Sequence, residues 1–444
     1  MPVDLVLKNA KIYFRDEIVE AGLAIEGDKI IKIAKETNLP SAAKEINLRG
    51  LLVLPGLIDA HVHFRNQELT YKEDFFSGSS AAANGGVTLV FDMPNNKPVT
   101  MSVDSLKERM NSAAKKSIVN IAFYSAFPEK IEDIPNIVRE GAKAFKFFMS
   151  QKIGGINPKD KDSIMKSFME VAELNFLVSI HAEDEDFLEK MLIKMKQENR
   201  NDPDAYLKVH SPEAEAEAIK RATEIAEATK AHTHICHVST NKSINIISSA
   251  KRKGLRLSCE VTPHHLLLSS RRIKKLGAVA LTNPPLRSAR DIRSLWSALQ
   301  TGLIDILVSD HAPHAVEDKK KSSVWDTPPG IPGIETLLPL MLTKVNEGSL
   351  SISTLVRLAS KRPAEIFKIE DRGYLDEGCY ADIVVVDMKK EWRIDSSKFY
   401  SKAKYSPFDG WRVKGKPMKT FVNGRLIMDD GEIVAKPGDG RIIM

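Results

Sequence analysis

Apolar strand-like runs alternating with amphipathic helical stretches, and histidines set where those runs end, predict an α/β fold. The architecture expected is a (β/α)8 barrel of the TIM type with a small β-sandwich domain built from both chain ends. Apolar runs near residues 57–63, 87–92, 118–124, 142–148, 176–181, 232–237, 255–261 and 304–310 give the eight strands such a barrel requires. Helices are expected between them, among others at Lys161 to Leu174, Ser211 to Thr229, Asn241 to Lys253 and Ala289 to Gln300, each with apolar residues at spacings of three and four. Strand and helix in alternation mean parallel pairing, which puts the functional face at the C-terminal ends of the strands.

The first strand leads with Leu51-Leu-Val-Leu-Pro55-Gly-Leu-Ile58 and delivers Asp59, Ala60, His61, Val62, His63, Phe64 and Arg65. Residues two apart on a strand share a face, so His61 and His63 point the same way and can hold one metal ion; Arg65 shares that face if the strand reaches it. Taken singly, each is more often a hydrogen-bonded core histidine. The later strands change that balance, because His181 closes the run from Asn175, His237 the run from Thr233, and Asp310 the run from Leu303. Four histidines and an aspartate at one end of one barrel constitute a metal-binding set. In the fourth strand, Lys146 lies among Ala144, Phe145, Phe147 and Phe148. A lone buried ammonium is costly, and two readings stay open: carboxylation to a carbamate that bridges two cations, or a lysine that snorkels to the surface.

The two ends of the chain carry short alternating strands, Leu5-Val-Leu-Lys-Asn9 and Ile30-Ile-Lys-Ile33 at one end, Ala381 to Asp387 and Thr420 to Ile427 at the other. Asn423-Gly424 is a hairpin signal. Residues 1–52 and 373–444 are therefore assigned to the small domain and 53–372 to the barrel. In Ser150 to Pro158, the pair Gly154-Gly155 suits either a mobile lid or a plain turn.

Several segments resemble dihydroorotases of the cyclic amidohydrolase superfamily: Pro55-Gly-Leu-Ile-Asp-Ala-His-Val-His63, Tyr71-Lys-Glu-Asp-Phe-Phe-Ser-Gly78, Met93-Pro-Asn-Asn96, Cys259-Glu-Val-Thr-Pro-His-His265, Asp310-His-Ala-Pro-His314 and Pro328-Pro-Gly-Ile-Pro-Gly-Ile-Glu-Thr336. The resemblance implies two zinc ions, His61 and His63 on the more buried one, His181 and His237 on the more exposed one, carboxylated Lys146 bridging both, and Asp310 completing the set. It implies that Arg65, Asn95 and His314 clamp a ring carboxylate, that Asn283 contacts the pyrimidine ring, and that Pro329 to Gly333 offers it backbone groups. Asp310 is the expected catalytic residue, taking a proton from the attacking water and passing it to the departing ring nitrogen. The expected reaction is reversible opening of (S)-dihydroorotate to N-carbamoyl-L-aspartate, in de novo pyrimidine synthesis. Some animal relatives hold an additional zinc in the region of Cys236 and Glu260; a buried thiol and a structural carboxylate are the alternative. The chain departs from the pattern after Arg65, where Asn66-Gln67-Glu68 replaces the usual Glu-Pro-Gly. The competing functions are a hydantoinase or allantoinase, whose rings lack the carboxylate, and a non-catalytic scaffold for aspartate transcarbamoylase.

A net charge of +6 over 444 residues gives no reason to expect nucleic acid, and Lys319-Lys-Lys321 reads as a solvated loop. Three cysteines, at 236, 259 and 379, form no disulfide framework and fit a reducing cytoplasm. Met1-Pro-Val-Asp-Leu5 lacks a basic apolar leader, and no apolar stretch is long enough to cross a membrane. A small-molecule substrate, a homodimer and possible association with aspartate transcarbamoylase complete the expectation.

Overall fold

Eight parallel strands form the barrel in the computed structural model, which describes residues 2–444. They are β1 (Leu57–Val62), β2 (Val87–Asp92), β3 (Asn120–Ala126), β4 (Ala144–Phe148), β5 (Leu177–His181), β6 (His232–Ile235), β7 (Leu257–Val261) and β8 (Ile306–Leu307). Each pairs with the next in chain order. Every residue of β1 to β5 is buried, as strands covered on both faces must be.

The last strand is shorter than the run 304–310 suggests, because its end bends into the site. Ser309 donates its backbone N–H to Asp59 Oδ1 at 3.1 Å, and Asp310 adopts a left-handed backbone, φ 47°. Closure onto β1 then rests on a bridge between Val62 and His311, with His63 N–H on the His311 carbonyl at 2.8 Å.

Inside the barrel, Ile58, Leu89, Phe91, Ala122, Tyr124 and Ile306 pack on Phe367, which plugs the N-terminal mouth. Above this apolar plug the interior becomes polar, and that layer carries the site. The helices sit close to expectation: Lys161–Glu173, Pro212–Thr229, Asn241–Arg252 and Ala289–Gln300.

The chain ends join as anticipated, and hydrogen bonds make them one nine-stranded sheet. It branches at Val3–Phe14, which pairs in parallel with Ala42–Asn47 along its first half and with Leu52–Pro55 further on. Leu7, Leu23 and Ile25 from one end share an apolar cluster with Ile383, Val385 and Phe421 from the other. Asn423 and Gly424 make the hairpin turn with φ of 49° and 77°. Among the described residues, no helix is long and apolar enough to cross a membrane.

Gly154 and Gly155 form a packed turn. A Cβ on Gly155 would meet the Pro128 carbonyl oxygen at 2.2 Å, and the Gly155 N–H donates to the Phe127 carbonyl at 2.8 Å.

Candidate active site

His61 and His63 project from the end of β1 beside Asp310, each Nε2 lying 3.4 and 3.3 Å respectively from Asp310 Oδ1. Their far nitrogens are occupied: His61 Nδ1 donates to Glu260 on β7, and His63 Nδ1 donates to Asn95 Oδ1 at 2.7 Å. Both rings are thereby turned with Nε2 as the free donor atom, the outer hydrogen bond fixing the tautomer as it does in histidine metal sites.

On the opposite wall, His181 Nδ1 and His237 Nε2 stand 3.0 Å apart, and the His61 and His237 ring centroids are 5.3 Å apart. Glu183 accepts from His181 Nε2 and from His210 Nδ1, both at 2.8 Å. Lys146 is 1% exposed, which removes the snorkelling alternative, and its Nζ lies 2.8 Å from Cys236 Sγ.

Charges in this pocket shift one another. Burial works against ionisation of Asp310, but His61, His63 and His237 together hold its carboxyl well below the usual range. On His61 burial disfavours the charged ring, yet Glu260 and Asp310 lift it to about 10. Burial, opposed by Asp310 and aided by Arg65, takes His63 down to about 3.

The donor set fits a divalent transition metal: imidazoles, one carboxylate and one amine, all buried, with Nε2 of His61, Nε2 of His63 and an oxygen of Asp310 converging. His61, Cys236 and Glu260 form a second converging group within 4.8 Å, so the donors expected of an additional zinc also lie together.

The residues expected to clamp a carboxylate come together in part. Arg65 is buried, its Nε on the Pro313 carbonyl at 3.2 Å and a terminal nitrogen 3.4 Å from His314 Nε2. No carboxylate pairs with it among the described residues. Asn95 holds His63 through its oxygen, which leaves its NH2 to donate elsewhere. Asn283, which precedes Pro284 across a cis peptide bond, accepts from the Tyr206 hydroxyl and bonds to none of the other predicted site residues. The Pro329 carbonyl, expected to face the ring, accepts from His314 Nε2 at 3.0 Å.

The solvated run expected at Lys319-Lys-Lys321 is corrected at its first residue: Lys320 and Lys321 are exposed, Lys319 is not. It is 7% exposed and donates to the Pro328 carbonyl at 2.8 Å, because the loop after Asp310 folds back over the barrel mouth. Glu183 was not picked out by sequence reasoning, and Lys72 and Glu73 entered it only as part of the motif Tyr71 to Gly78, with no role of their own. Glu183 follows His181 by two residues, the same spacing that singled out His61 and His63, and that signal was available. In Tyr71-Lys-Glu-Asp74, Lys72 reaches His314 Nδ1 at 3.1 Å, Glu73 binds the Ser401 hydroxyl, and Asp74 caps the helix Phe75–Asn84.

Comparison with known proteins agrees with this architecture. The sequence pattern of the amidohydrolase family matches residues 52–427. The chain is 38% identical to a dihydroorotase of Methanothermobacter thermautotrophicus, covering 99% of this chain and 97% of that one. It is 39% identical to a dihydroorotase of Pyrococcus horikoshii, covering 99% and 96%. Among solved structures, an L-hydantoinase (dihydropyrimidinase) from Arthrobacter aurescens superposes with a TM-score of 0.95 at 32% identity, covering 99% of both chains. With a hydrolase barrel of this build and a family pattern spanning most of its length, the chain belongs to the amidohydrolase family.

Proposed function

We propose that this chain is a zinc-dependent dihydroorotase, opening the cyclic amide of (S)-dihydroorotate to N-carbamoyl-L-aspartate and closing it again. The observation that carries the reading is Arg65, a buried guanidinium with no paired carboxylate among the described residues, held beside His314 at the edge of the histidine and aspartate cluster. A planar double donor in that state is suited to a carboxylate brought by the substrate. Dihydroorotate has one on its ring. Dihydroorotases align with this chain over its full length, which supports the same choice.

In this reading His61, His63 and Asp310 would hold one zinc, His181 and His237 a second, and Lys146, once carboxylated, would supply an anionic oxygen ligand to them; Cys236 and Glu260 would suit an additional ion. Bound zinc supplies a lowered pKa for water and polarises the amide carbonyl. Asp310, an ionised carboxylate at the cluster's centre, accepts the proton of the attacking water and returns it to the departing ring nitrogen. Arg65, His314 and the Asn95 amide orient the ring, with Asn283 at its far side. The reverse reaction uses the same residues in the opposite order. The end sheet, residues 1–52 and 373–444 together with 53–55 of the strand Leu52–Pro55, serves as support to a barrel whose first strand begins at Leu57.

The test is turnover of dihydroorotate, hydantoin and allantoin by zinc-loaded protein, Asp310→Asn and Arg65→Met. Dihydroorotate turnover that falls by about 10²–10⁴ in Asp310→Asn supports the reading. A second reading, a hydantoinase, is favoured by the L-hydantoinase likeness, and turnover of the uncharged rings alone would establish it in place of the first. Bound metal without any turnover would leave a scaffold. A homodimer, and association with aspartate transcarbamoylase, belong to the same proposal and are checked by light scattering of the chain alone and mixed with that enzyme.

A further inference from the structure

Lys319 sits on the short turn Glu317–Lys320, with its Nζ on the Pro328 carbonyl and 5.5 Å from the centre of the Tyr405 ring. The next carbonyl, Pro329, accepts from His314 Nε2, so Lys319 and His314 hang from adjacent backbone oxygens. Because Nε2 carries that proton, His314 Nδ1 is an acceptor, and Lys72 Nζ donates to it at 3.1 Å. A neutral imidazole is thus ringed by Arg65, Lys72 and Lys319. Burial, Arg65, Lys319 and Lys72 all hold the His314 pKa far below its ordinary value. The countercharge at hand is Asp318, 3.4 Å from Lys72 Nζ; no carboxylate pairs with Lys319 or Arg65 among the described residues.

Asp310 and Asp92 offset Arg65 from its other side, Asp92 being already paired with Arg109; around Lys319 two cations, Arg65 and Lys72, are opposed by Asp318 alone, and like charges shielded from water repel strongly. Clamping one ring carboxylate calls for a single cation, Arg65, beside the neutral Asn95 and His314. We propose that Lys319, with Lys72, extends the Arg65 clamp into an anion-binding wall, and that Lys319 is a specificity-determining residue favouring carboxylate-bearing rings over neutral ones. The inference rests on the dihydroorotase reading and deepens it.

The groups facing Lys319 are Arg65, Lys72, Asp318, His314 and Tyr405. Burial, with Arg65 and Lys72 adding and Asp318 opposing, brings the Lys319 ammonium down to about 7. A carboxylate arriving beside it raises that proton affinity again. Binding an anionic ring above neutral pH therefore draws a proton onto Lys319; binding a neutral ring does not.

The probes are orotate, a carboxylated ring, and uracil, its neutral counterpart. Both are titrated calorimetrically into zinc-loaded protein at about pH 8, in two buffers of different ionisation enthalpy, alongside steady-state kinetics with dihydroorotate. The wild type takes up a substantial fraction of a proton with orotate and none with uracil. Lys319→Met abolishes that uptake and weakens orotate binding, and raises KM for dihydroorotate, by about tenfold or more, with the loss falling on KM rather than kcat. Lys319→Arg restores orotate affinity without proton uptake, since a guanidinium stays charged. Lys72→Met, at a half-buried position, weakens orotate and spares uracil even if Lys319→Met folds poorly. Proton uptake or KM unchanged in Lys319→Met, with dihydroorotate turnover intact in the wild type, overturns the inference alone. A wild type that binds orotate with proton uptake but never opens dihydroorotate overturns the reaction and keeps the anion wall.

Discussion

Glu260 joins more of the site than any other side chain on β7. One oxygen takes His61 Nδ1 and the His237 backbone N–H, the other takes His234 Nε2 at 3.0 Å, and the carboxyl is fully buried. Glu260→Gln keeps the size but loses the charge and one acceptor, so His61 is no longer held in a single tautomer. The expected result is a loss of zinc affinity of about 10–100-fold, read by competition with a chromophoric chelator. An affinity matching wild type would show that Glu260 does not orient the histidines. His61, His63, His181, His237 and Asp310 were legible as one group because they stand at or near the ends of successive apolar runs, and strand ends on one side of a barrel converge. Glu260 was visible without its role, since a carboxylate inside a strand looks structural until its partners are placed. Backbone strain left no mark at all: Arg65, His237 and Asp310 have φ of 52°, 33° and 47°, and nothing in their side chains announces it. Such conformations cost roughly 1–3 kcal/mol each and persist where the surroundings impose them. For Arg65 the imposing group is Arg109, which donates to the Arg65 carbonyl at 2.9 Å while pairing with Asp92.

At the level of elements, helical periodicity placed the ends of four barrel helices within two residues, while the eighth strand was overdrawn because burial and strand pairing are separate properties. The helix Ile334–Asn346 carries a carboxyl that makes stability depend on pH. Burial lifts Glu335 from 4.5 to about 7, against hydrogen bonds from Asn84 and the Ser401 backbone, with Glu73 adding to the rise. Unfolded chain releases this proton near 4.5, so between 4.5 and 7 the folded protein binds more protons than the unfolded one. The stabilisation is complete below the lower value and is lost as pH rises through the upper one. Glu335→Gln removes that dependence. Relative to the wild type, the variant gains on the order of 3 kcal/mol in denaturant stability between about pH 4 and pH 8. Equal differences at both values would refute the burial argument. In the turn after β4, Gly155→Ala forces the Pro128 backbone to move, and a loss of about 1–3 kcal/mol is expected in the same assay. Stability unchanged in that variant would mean the loop is free enough to serve as the lid.

Across the whole molecule, a buried polar knot fastens the end sheet to the floor of the barrel. Asp382, just before the strand Ile383–Arg393, pairs with Arg372 and accepts from the Asn423 backbone at 2.7 Å and from Asn120 Nδ2 at 3.2 Å. Asn120 opens β3, and its oxygen accepts from Asn423 Nδ2 at 2.9 Å and from the Arg441 backbone at 3.2 Å. The hairpin residue Asn423, recognised in the sequence for its turn, therefore also ties the sheet to the barrel. That second role depends on residues some 300 positions away and cannot be read from local pattern. Fixing the N-terminal mouth in this way leaves the opposite mouth as the end whose loops are free to shape a pocket. Removing one partner of a buried pair leaves the other charged and unpaired, so Arg372→Met is expected to cost about 3–5 kcal/mol, measured by chemical denaturation. Arg372→Met combined with Asp382→Asn removes both charges and is expected to recover much of that loss. If the double variant is as unstable as the single one, the knot holds the sheet through hydrogen-bond geometry rather than through charge pairing. If the single variant loses less than about 0.5 kcal/mol, the apolar cluster shared by the two chain ends holds the sheet unaided.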